Sequence, residues 1–185
     1  MNAAIIATIL RVVAIPVFIA IYYSSLPYSN AIASVIFVLA CITDWLDGYL
    51  ARKLNQASKF GAFLDPVADK LLVVVALVML CANFSSPWFV APAAIMVARE
   101  VLISALREWM AENNARDAVA VGFVGKIKTT VQMVAIAILL AAGDNAAQWF
   151  ILLGYITLYV SAVFALWSMT IYLKSAWPML TAELK

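Results

Sequence analysis

The chain has 185 residues, of which 66% are apolar and only 12% are charged, and its net charge is +2. A soluble domain is about half apolar and about a quarter charged, so too few polar residues remain here to cover a soluble globule. The small net charge gives no indication of a nucleic-acid partner, and the lack of histidine excludes Ser-His or Cys-His catalysis and a histidine-ligated metal.

We predict an all-α membrane protein with six transmembrane helices, because no alternating pattern long enough for a barrel is present. Apolar runs separated by polar or proline-containing turns place the spans at 5–23, 31–53, 60–82, 88–110, 122–142 and 148–173. Each is close to the roughly 20 residues that a helix needs to cross a bilayer. No repeat or low-complexity stretch divides the chain, so residues 1–185 are predicted to form a single integral-membrane domain.

Loop charges predict the orientation of these spans. Lys and Arg are absent from the loops near residues 24–30, 83–87 and 143–147, and they occur in the alternate segments, near 52–59 and 107–128 and in the tail. This alternation satisfies the positive-inside rule only with an even number of spans and both termini in the cytoplasm. The connection between spans two and three is therefore expected at the cytoplasmic face.

The chemistry is concentrated between Asp44 and Asp69, where four aspartates lie in two neighbouring spans. At about 100° per residue, Asp44 and Asp47 share a stripe of span two. Asp65 and Asp69 are four residues apart and share a stripe of span three. Intramembrane carboxylates seldom occur without a functional reason. Four of them would repel one another, and either protonation or bound cations would relieve the repulsion.

Hard divalent cations with oxygen ligands suit such a site, and two Mg²⁺ or Mn²⁺ ions would clamp a diphosphate. Gly48 and Gly61 lack a Cβ atom and would let a ligand approach the backbone, while Arg52 would bind phosphate oxygens. Each part also has an ordinary alternative, such as helix packing for the glycines. The alternative of a different class is a transporter that uses the Asp cluster for a cation or a proton.

The pattern D-x2-D-G-x2-A-R-x8-G-x3-D-x3-D resembles the signature of the CDP-alcohol phosphotransferase family, at Asp44, Asp47, Gly48, Ala51, Arg52, Gly61, Asp65 and Asp69. The resemblance implies six membrane helices, a homodimer, two divalent metal ions, and attack of an alcohol on a CDP-activated phosphoryl group with release of CMP. It implies that Asp69 is the general base and that the metal ligands are Asp44, Asp47, Asp65 and Asp69. The positions expected to contact the CDP portion of the donor are Gly48, Ala51, Arg52 and Gly61.

The acceptor alcohol is predicted from cations in other spans. Inward cations favour an acceptor that carries phosphate, and the residues expected to bind that phosphate are Arg11, Arg99, Arg107 and Lys126. Arg11 lies inside span one and needs an anionic partner. Glu100 is equally well interpreted as a structural bridge to Arg99. Lys128 points away from Lys126 on a regular helix, so we expect it to be an interfacial anchor.

Four further stretches resemble the bacterial family members that transfer a phosphatidyl group from CDP-diacylglycerol to sn-glycerol 3-phosphate. They are T-I-L-R at 8–11, F-G-A-F-L-D-P-V-A-D-K at 60–70, A-R-E-V-L-I-S-A-L-R-E-W-M-A-E at 98–112 and G-K-I-K-T-T-V-Q-M at 125–133. The resemblance implies the bacterial cytoplasmic (inner) membrane, with the active site at the cytoplasmic face. The alternative within the family is a member that uses phosphatidylglycerol as acceptor and makes cardiolipin. Ala4 stands where such members usually have Pro, and residues 113–117 receive no role.

Overall fold

The computed structural model describes residues 3–54, 59–113, 123–143 and 146–182. Within these ranges the helices are α1 Ala3–Tyr22, α2 Ser29–Leu54, α3 Lys59–Asn83, α4 Pro87–Glu112, α5 Phe123–Ala141 and α6 Gln148–Ala182. The predicted all-α architecture and the order of its helices are confirmed for the described residues. Most helix ends differ from the predicted ones by one or two residues.

The C-terminal end of α6 differs by more than two residues. We predict it at residue 173 from the sequence, and in the structure the helix ends at Ala182. Ala176 is fully buried, and Met179 and Leu180 pack against the same apolar cluster, which includes Met110 of α4. This tertiary packing stabilises the additional turns of helix. Lys174, by contrast, looked from the sequence like the start of a polar tail.

Local signals determine where α4 begins and ends. The backbone N–H of Trp88 donates a hydrogen bond to Ser86 Oγ at 3.3 Å, and Pro87 occupies the first helical position. Both are typical of a helix N-terminus, where backbone donors have no partner within the helix. At the other end, the side-chain amide of Asn113 donates to the Trp109 carbonyl at 3.0 Å.

The chain divides into two compact units. Unit 1 comprises Met1–Asn83 and Ile136–Gly154, and unit 2 comprises Phe84–Ala135 and Tyr155–Lys185. The division falls inside α5 and inside α6, so neither unit is a continuous stretch of sequence. The prediction of a single domain over residues 1–185 stays a prediction.

In unit 1, α1 packs against α2 and α3. Phe18 and Phe37 are fully buried, and their ring centroids are 6.3 Å apart. Ser34 Oγ donates to the carbonyl oxygen of Ala137 at 2.7 Å, which links α2 to α5. The C-terminal half of α5 also approaches α6 closely, because a Cβ atom at Gly154 would lie 2.5 Å from Leu139 Cδ2. Small residues allow helices to approach in this way.

In unit 2, α4 and α6 run parallel. Tyr159 Oη donates to the carbonyl oxygen of Trp88 at 2.7 Å, and Arg99 donates to Ser168 further along both helices. Contacts near the C-terminal ends then join Met110 to the cluster of α6 that contains Ala176. Residue numbers therefore rise together on the two helices. This is the relative direction that the predicted six-span topology requires of spans four and six.

Among the described residues, two helices are long and apolar enough to cross a membrane, Pro87–Glu112 and Gln148–Thr181. Shorter apolar helical stretches occur at Thr8–Tyr22, Ser29–Thr43 and Ile127–Ala141. The six-span topology and the cytoplasmic placement of both termini stay predictions.

Candidate active site

The carboxylate motif lies on two consecutive helices of unit 1. Asp44 and Asp47 are in α2, which ends at Leu54, and Asp65 and Asp69 are in α3, which begins at Lys59. The structure describes the helical backbone at these positions. The side chains of Asp44, Asp47 and Asp65 lie outside the described residues, and so do the surroundings of the expected CDP-binding positions Gly48, Ala51, Arg52 and Gly61.

Asp69 is the motif carboxylate whose side chain is described, and it forms an ion pair with Arg11 of α1. Arg11 Nη1 donates to Asp69 Oδ1 at 2.8 Å, where the arginine side chain is 2% exposed and the aspartate side chain is 36% exposed. A charge-assisted hydrogen bond of this length orients the carboxylate. Asp69 is thus held in position from inside the unit while part of its side chain remains accessible.

The expectation that Arg11 needs an anionic partner is confirmed, because Arg11 forms an ion pair with Asp69. From the sequence, Arg11 is predicted to bind the phosphate of the acceptor. The structure places its guanidinium against the predicted general base, so the phosphate role of Arg11 stays a prediction.

The donor chemistry of the motif fits a divalent metal site. Asp44 and Asp47 are three residues apart on α2, and Asp65 and Asp69 are four residues apart on α3, so about one helical turn separates the members of each pair. An all-oxygen donor set is the set that Mg²⁺ and Mn²⁺ prefer. The described side chains contain no group of three or more potential metal ligands, but three of the four motif carboxylates lie outside them.

A second group of charged side chains is buried in unit 2, and Arg99 of α4 is at its centre. Arg99 Nη1 donates to Glu100 Oε1 at 3.3 Å, and Arg99 Nη2 donates to Ser168 Oγ of α6 at 3.1 Å. The guanidinium also lies 5.9 Å from the centroid of the Tyr172 ring, a cation–π distance. Arg99 is therefore fixed from two helices.

Lys128 of α5 completes this group, because its ammonium donates to Glu100 Oε1 and its side chain is fully buried. The expectation that Lys128 is an interfacial anchor is therefore wrong. The buried face of α5 runs through Lys128, Gln132 and Ala135, at steps of four and three residues. That spacing was the sequence signal, and it places Lys128 in line with the apolar core positions.

We call Arg99, Glu100, Lys128 and Ser168 the unit 2 cluster. Glu100 bridges both cations, in agreement with its interpretation as a structural bridge. Two cations and one carboxylate leave one formal positive charge among the described members of this cluster, in which Arg99 and Lys128 are buried and Glu100 is 16% exposed. Buried charges are unfavourable without a counter-charge, so this cluster is suited to hold an anion.

The remaining predicted acceptor residues are placed as follows. Arg107 is exposed on α4, and Lys126 belongs to α5 with a side chain outside the described residues. Their assignment to the acceptor phosphate stays a prediction. Of the stretch 113–117, only Asn113 is described, and it caps α4.

Comparison with known proteins shows the class of this protein. Residues 1–167 match the model of the CDP-alcohol phosphatidyltransferase family, so the chain belongs to that family, as the motif predicted. The family is membrane-bound.

Individual relatives are similar over almost their whole length. Those of Shigella flexneri serotype 5b (strain 8401) and Escherichia coli (strain K12) are 49% identical over 175 residues, which cover 95% of this chain and 94% of each relative. That of Salmonella typhimurium (strain LT2) is 48% identical over the same shares. Each is named CDP-diacylglycerol–glycerol-3-phosphate 3-phosphatidyltransferase.

Proposed function

We propose that this protein transfers the phosphatidyl group of CDP-diacylglycerol to sn-glycerol 3-phosphate, giving phosphatidylglycerophosphate and CMP. The observation that carries the proposal is 49% identity over 95% of the chain to relatives whose name states these two substrates. The family match spans residues 1–167 and so includes the motif from Asp44 to Asp69 as well as Arg99, Glu100 and Lys128.

In the proposed reaction, Asp69 acts as general base. Its carboxylate takes the proton of the acceptor's primary hydroxyl, and the hydroxyl oxygen forms a bond to the phosphatidyl phosphorus. The bond between that phosphorus and the bridging oxygen breaks, and CMP leaves with the bonding electrons. The ion pair with Arg11 at 2.8 Å and the partial exposure of Asp69 support this role, because a base must be oriented and also reachable.

We propose that Asp44, Asp47, Asp65 and Asp69 hold two divalent cations, Mg²⁺ or Mn²⁺. When bound, these cations would neutralise the diphosphate of the donor. Gly48, Ala51, Arg52 and Gly61 are proposed to contact the CDP portion, since they belong to the same family signature. The carboxylate donors and their one-turn spacing on α2 and α3 support the metal assignment.

The acceptor phosphate is proposed to bind cations of the chain, and the structural support is strongest for Arg99. Its guanidinium is buried and fixed by Glu100 and Ser168, and the unit 2 cluster has one positive charge in excess. Arg11, Arg107 and Lys126 are proposed for the same phosphate on sequence grounds.

We further propose a multi-pass protein of the bacterial cytoplasmic (inner) membrane with six spans, cytoplasmic termini and a cytoplasmic active site. A homodimer is proposed from the family resemblance. Membrane association is supported by the membrane-bound family and by the two helices that are long and apolar enough to cross a bilayer.

The test is release of CMP by the purified protein in mixed micelles that contain CDP-diacylglycerol and Mg²⁺, with each candidate acceptor in turn. We expect release with sn-glycerol 3-phosphate and its loss on removal of divalent metal, with recovery when Mg²⁺ or Mn²⁺ is restored. Release with phosphatidylglycerol but not with glycerol 3-phosphate would contradict the proposed acceptor. Metal or proton flux in liposomes without any CMP release would support the transporter alternative instead.

A further inference from the structure

Gln132 of α5 is buried, and its amide has no hydrogen-bond partner among the described residues. The residue is 2% exposed, and neither its Nε2 nor its Oε1 atom is paired. A buried amide without partners costs about 1–3 kcal/mol of stability. Leu or Met at this position would avoid that cost, so the amide calls for a functional explanation.

The position of Gln132 links it to the unit 2 cluster. Gln132 lies one helical turn after Lys128, and both side chains are buried on the same face of α5. Lys128 donates to Glu100, and Arg99 donates to Glu100 and Ser168. The unpaired amide therefore lies one turn along α5 from a buried group that carries an excess positive charge.

A second unpaired group occurs within this cluster. Nε of Arg99 is buried and has no hydrogen-bond partner among the described residues. A guanidinium has only donors, whereas the glutamine amide has both a donor and an acceptor. Arg99 therefore matches an anionic oxygen, and Gln132 matches a group that donates and accepts at the same time.

We propose that Gln132 binds the secondary hydroxyl of the acceptor and makes the enzyme specific for a polyol phosphate. This inference rests on the proposed function. It adds a residue that recognises the hydroxyl of the acceptor, whereas the cations are proposed to bind the phosphate. A hydroxyl donates to Oε1 and accepts from Nε2, which satisfies both amide atoms. A phosphate monoester is mostly doubly ionised at neutral pH, so it offers mainly acceptor oxygens and would leave Oε1 facing negative charge.

The test compares two acceptors that differ in this hydroxyl alone. One is sn-glycerol 3-phosphate, and the other is 3-hydroxypropyl phosphate, which retains the primary hydroxyl and the phosphate. A site with a buried hydrogen-bonding group discriminates strongly against an analogue that leaves that group unpaired. We expect kcat/KM of the wild-type protein to be at least about tenfold lower for 3-hydroxypropyl phosphate.

The variant Gln132→Met keeps the size of the side chain and removes both polar atoms. We expect it to lower kcat/KM for glycerol 3-phosphate by about tenfold or more and to leave kcat/KM for 3-hydroxypropyl phosphate within about twofold. Its midpoint of thermal unfolding should equal or exceed that of the wild type. The matched control is Gln148→Met, because Gln148 is exposed at the start of α6 and should affect neither acceptor.

The inference is overturned if the wild-type protein uses both acceptors equally well, or if Gln132→Met changes kcat/KM for both by the same factor. It is also overturned if Gln132→Met lowers the unfolding midpoint by several degrees, since the amide would then be paired within the protein. Failure of the proposed function would look different. In that case, the wild-type protein would release no CMP with glycerol 3-phosphate.

Discussion

The Arg11–Asp69 pair and the unit 2 cluster differ in exposure. In unit 1, Arg11 forms an ion pair with Asp69, and the Asp69 side chain is 36% exposed. In unit 2, two cations share one carboxylate, the Lys128 side chain is fully buried and that of Glu100 is 16% exposed. The Arg11–Asp69 pair leaves a carboxylate oxygen partly accessible, whereas the unit 2 cluster keeps its cations away from water.

This difference suggests a division of chemical work. The partly exposed pair of Arg11 and Asp69 suits proton transfer, because the carboxylate is oriented without being enclosed. An unbalanced, buried cluster suits anion binding, because a phosphate that enters would supply the missing negative charge. Removing the charge of Asp69 in unit 1 should therefore lower turnover, whereas removing a charge of the unit 2 cluster should lower stability or acceptor affinity.

Asp69→Asn gives the largest expected effect. An amide cannot take the acceptor proton, so kcat of the folded variant should fall by about 10²–10⁴-fold, in addition to any loss of stability from breaking the ion pair with Arg11. CMP release and the midpoint of thermal unfolding in detergent measure the two quantities. Glu108→Gln is the matched control, because Glu108 is exposed on α4. Normal turnover of Asp69→Asn would remove this residue as the base.

Glu100→Gln should destabilise the fold rather than act on the chemistry alone. It leaves Arg99 and Lys128 buried without their shared carboxylate, and breaking a buried ion pair costs about 3–5 kcal/mol. The measurement is thermal or chemical unfolding of the purified variant. A stability equal to that of Glu108→Gln would show that the cluster is already compensated by another negative charge.

Lys128→Met should affect acceptor binding more than stability, in contrast to Glu100→Gln. It removes the excess charge and leaves Arg99 paired with Glu100, so its loss of stability should be smaller than that of Glu100→Gln. The KM for glycerol 3-phosphate should rise by about tenfold, since a buried charge-assisted contact contributes about 1.5–3 kcal/mol. An unchanged KM would contradict the assignment of this cluster to the acceptor.

Gly154→Ala tests whether a loss of stability alone changes the kinetic constants. We expect it to have the smallest effect on kcat and KM of these four variants. The new Cβ atom would lie 2.5 Å from Cδ2 of Leu139, a fully buried side chain, so the variant should lose about 1–3 kcal/mol. Its KM for both substrates should match the wild type. A rise in acceptor KM equal to that of Lys128→Met would mean that KM reports stability rather than binding.

Much of the fold was predictable from the sequence. Long apolar runs with charged, polar or proline-containing breaks are sufficient to locate helices in a chain this hydrophobic. The family was predictable too, because the positions from Asp44 to Asp69 follow a fixed spacing that helix periodicity alone does not require. The end of α6 was not predictable, since it depends on packing against Met110 of α4.

The partners of the charged residues were harder to predict. The need of Arg11 for an anion was evident, but the partner lies 58 residues away on another helix. For Lys128, the spacing with Gln132 and Ala135 is a signal in the sequence, but the sequence does not show which helices cover that face of α5. No sequence pattern predicts a role for Gln132. The proposed role depends on its burial and on the absence of a hydrogen-bond partner among the described residues, and both are visible only in the structure.

The length of α6 has a consequence for depth in the bilayer. Exposed tryptophans occur at positions 149, 167 and 177 of this 35-residue helix. At 1.5 Å per residue, Trp149 lies about 27 Å from Trp167 and about 42 Å from Trp177. The first length is close to the thickness of the hydrocarbon core, about 30 Å, so Trp149 and Trp167 are spaced as the two interfacial aromatic belts of a membrane span are. Ser168 directly follows Trp167, so Arg99, its hydrogen-bond partner, would lie near the boundary between hydrocarbon and headgroups.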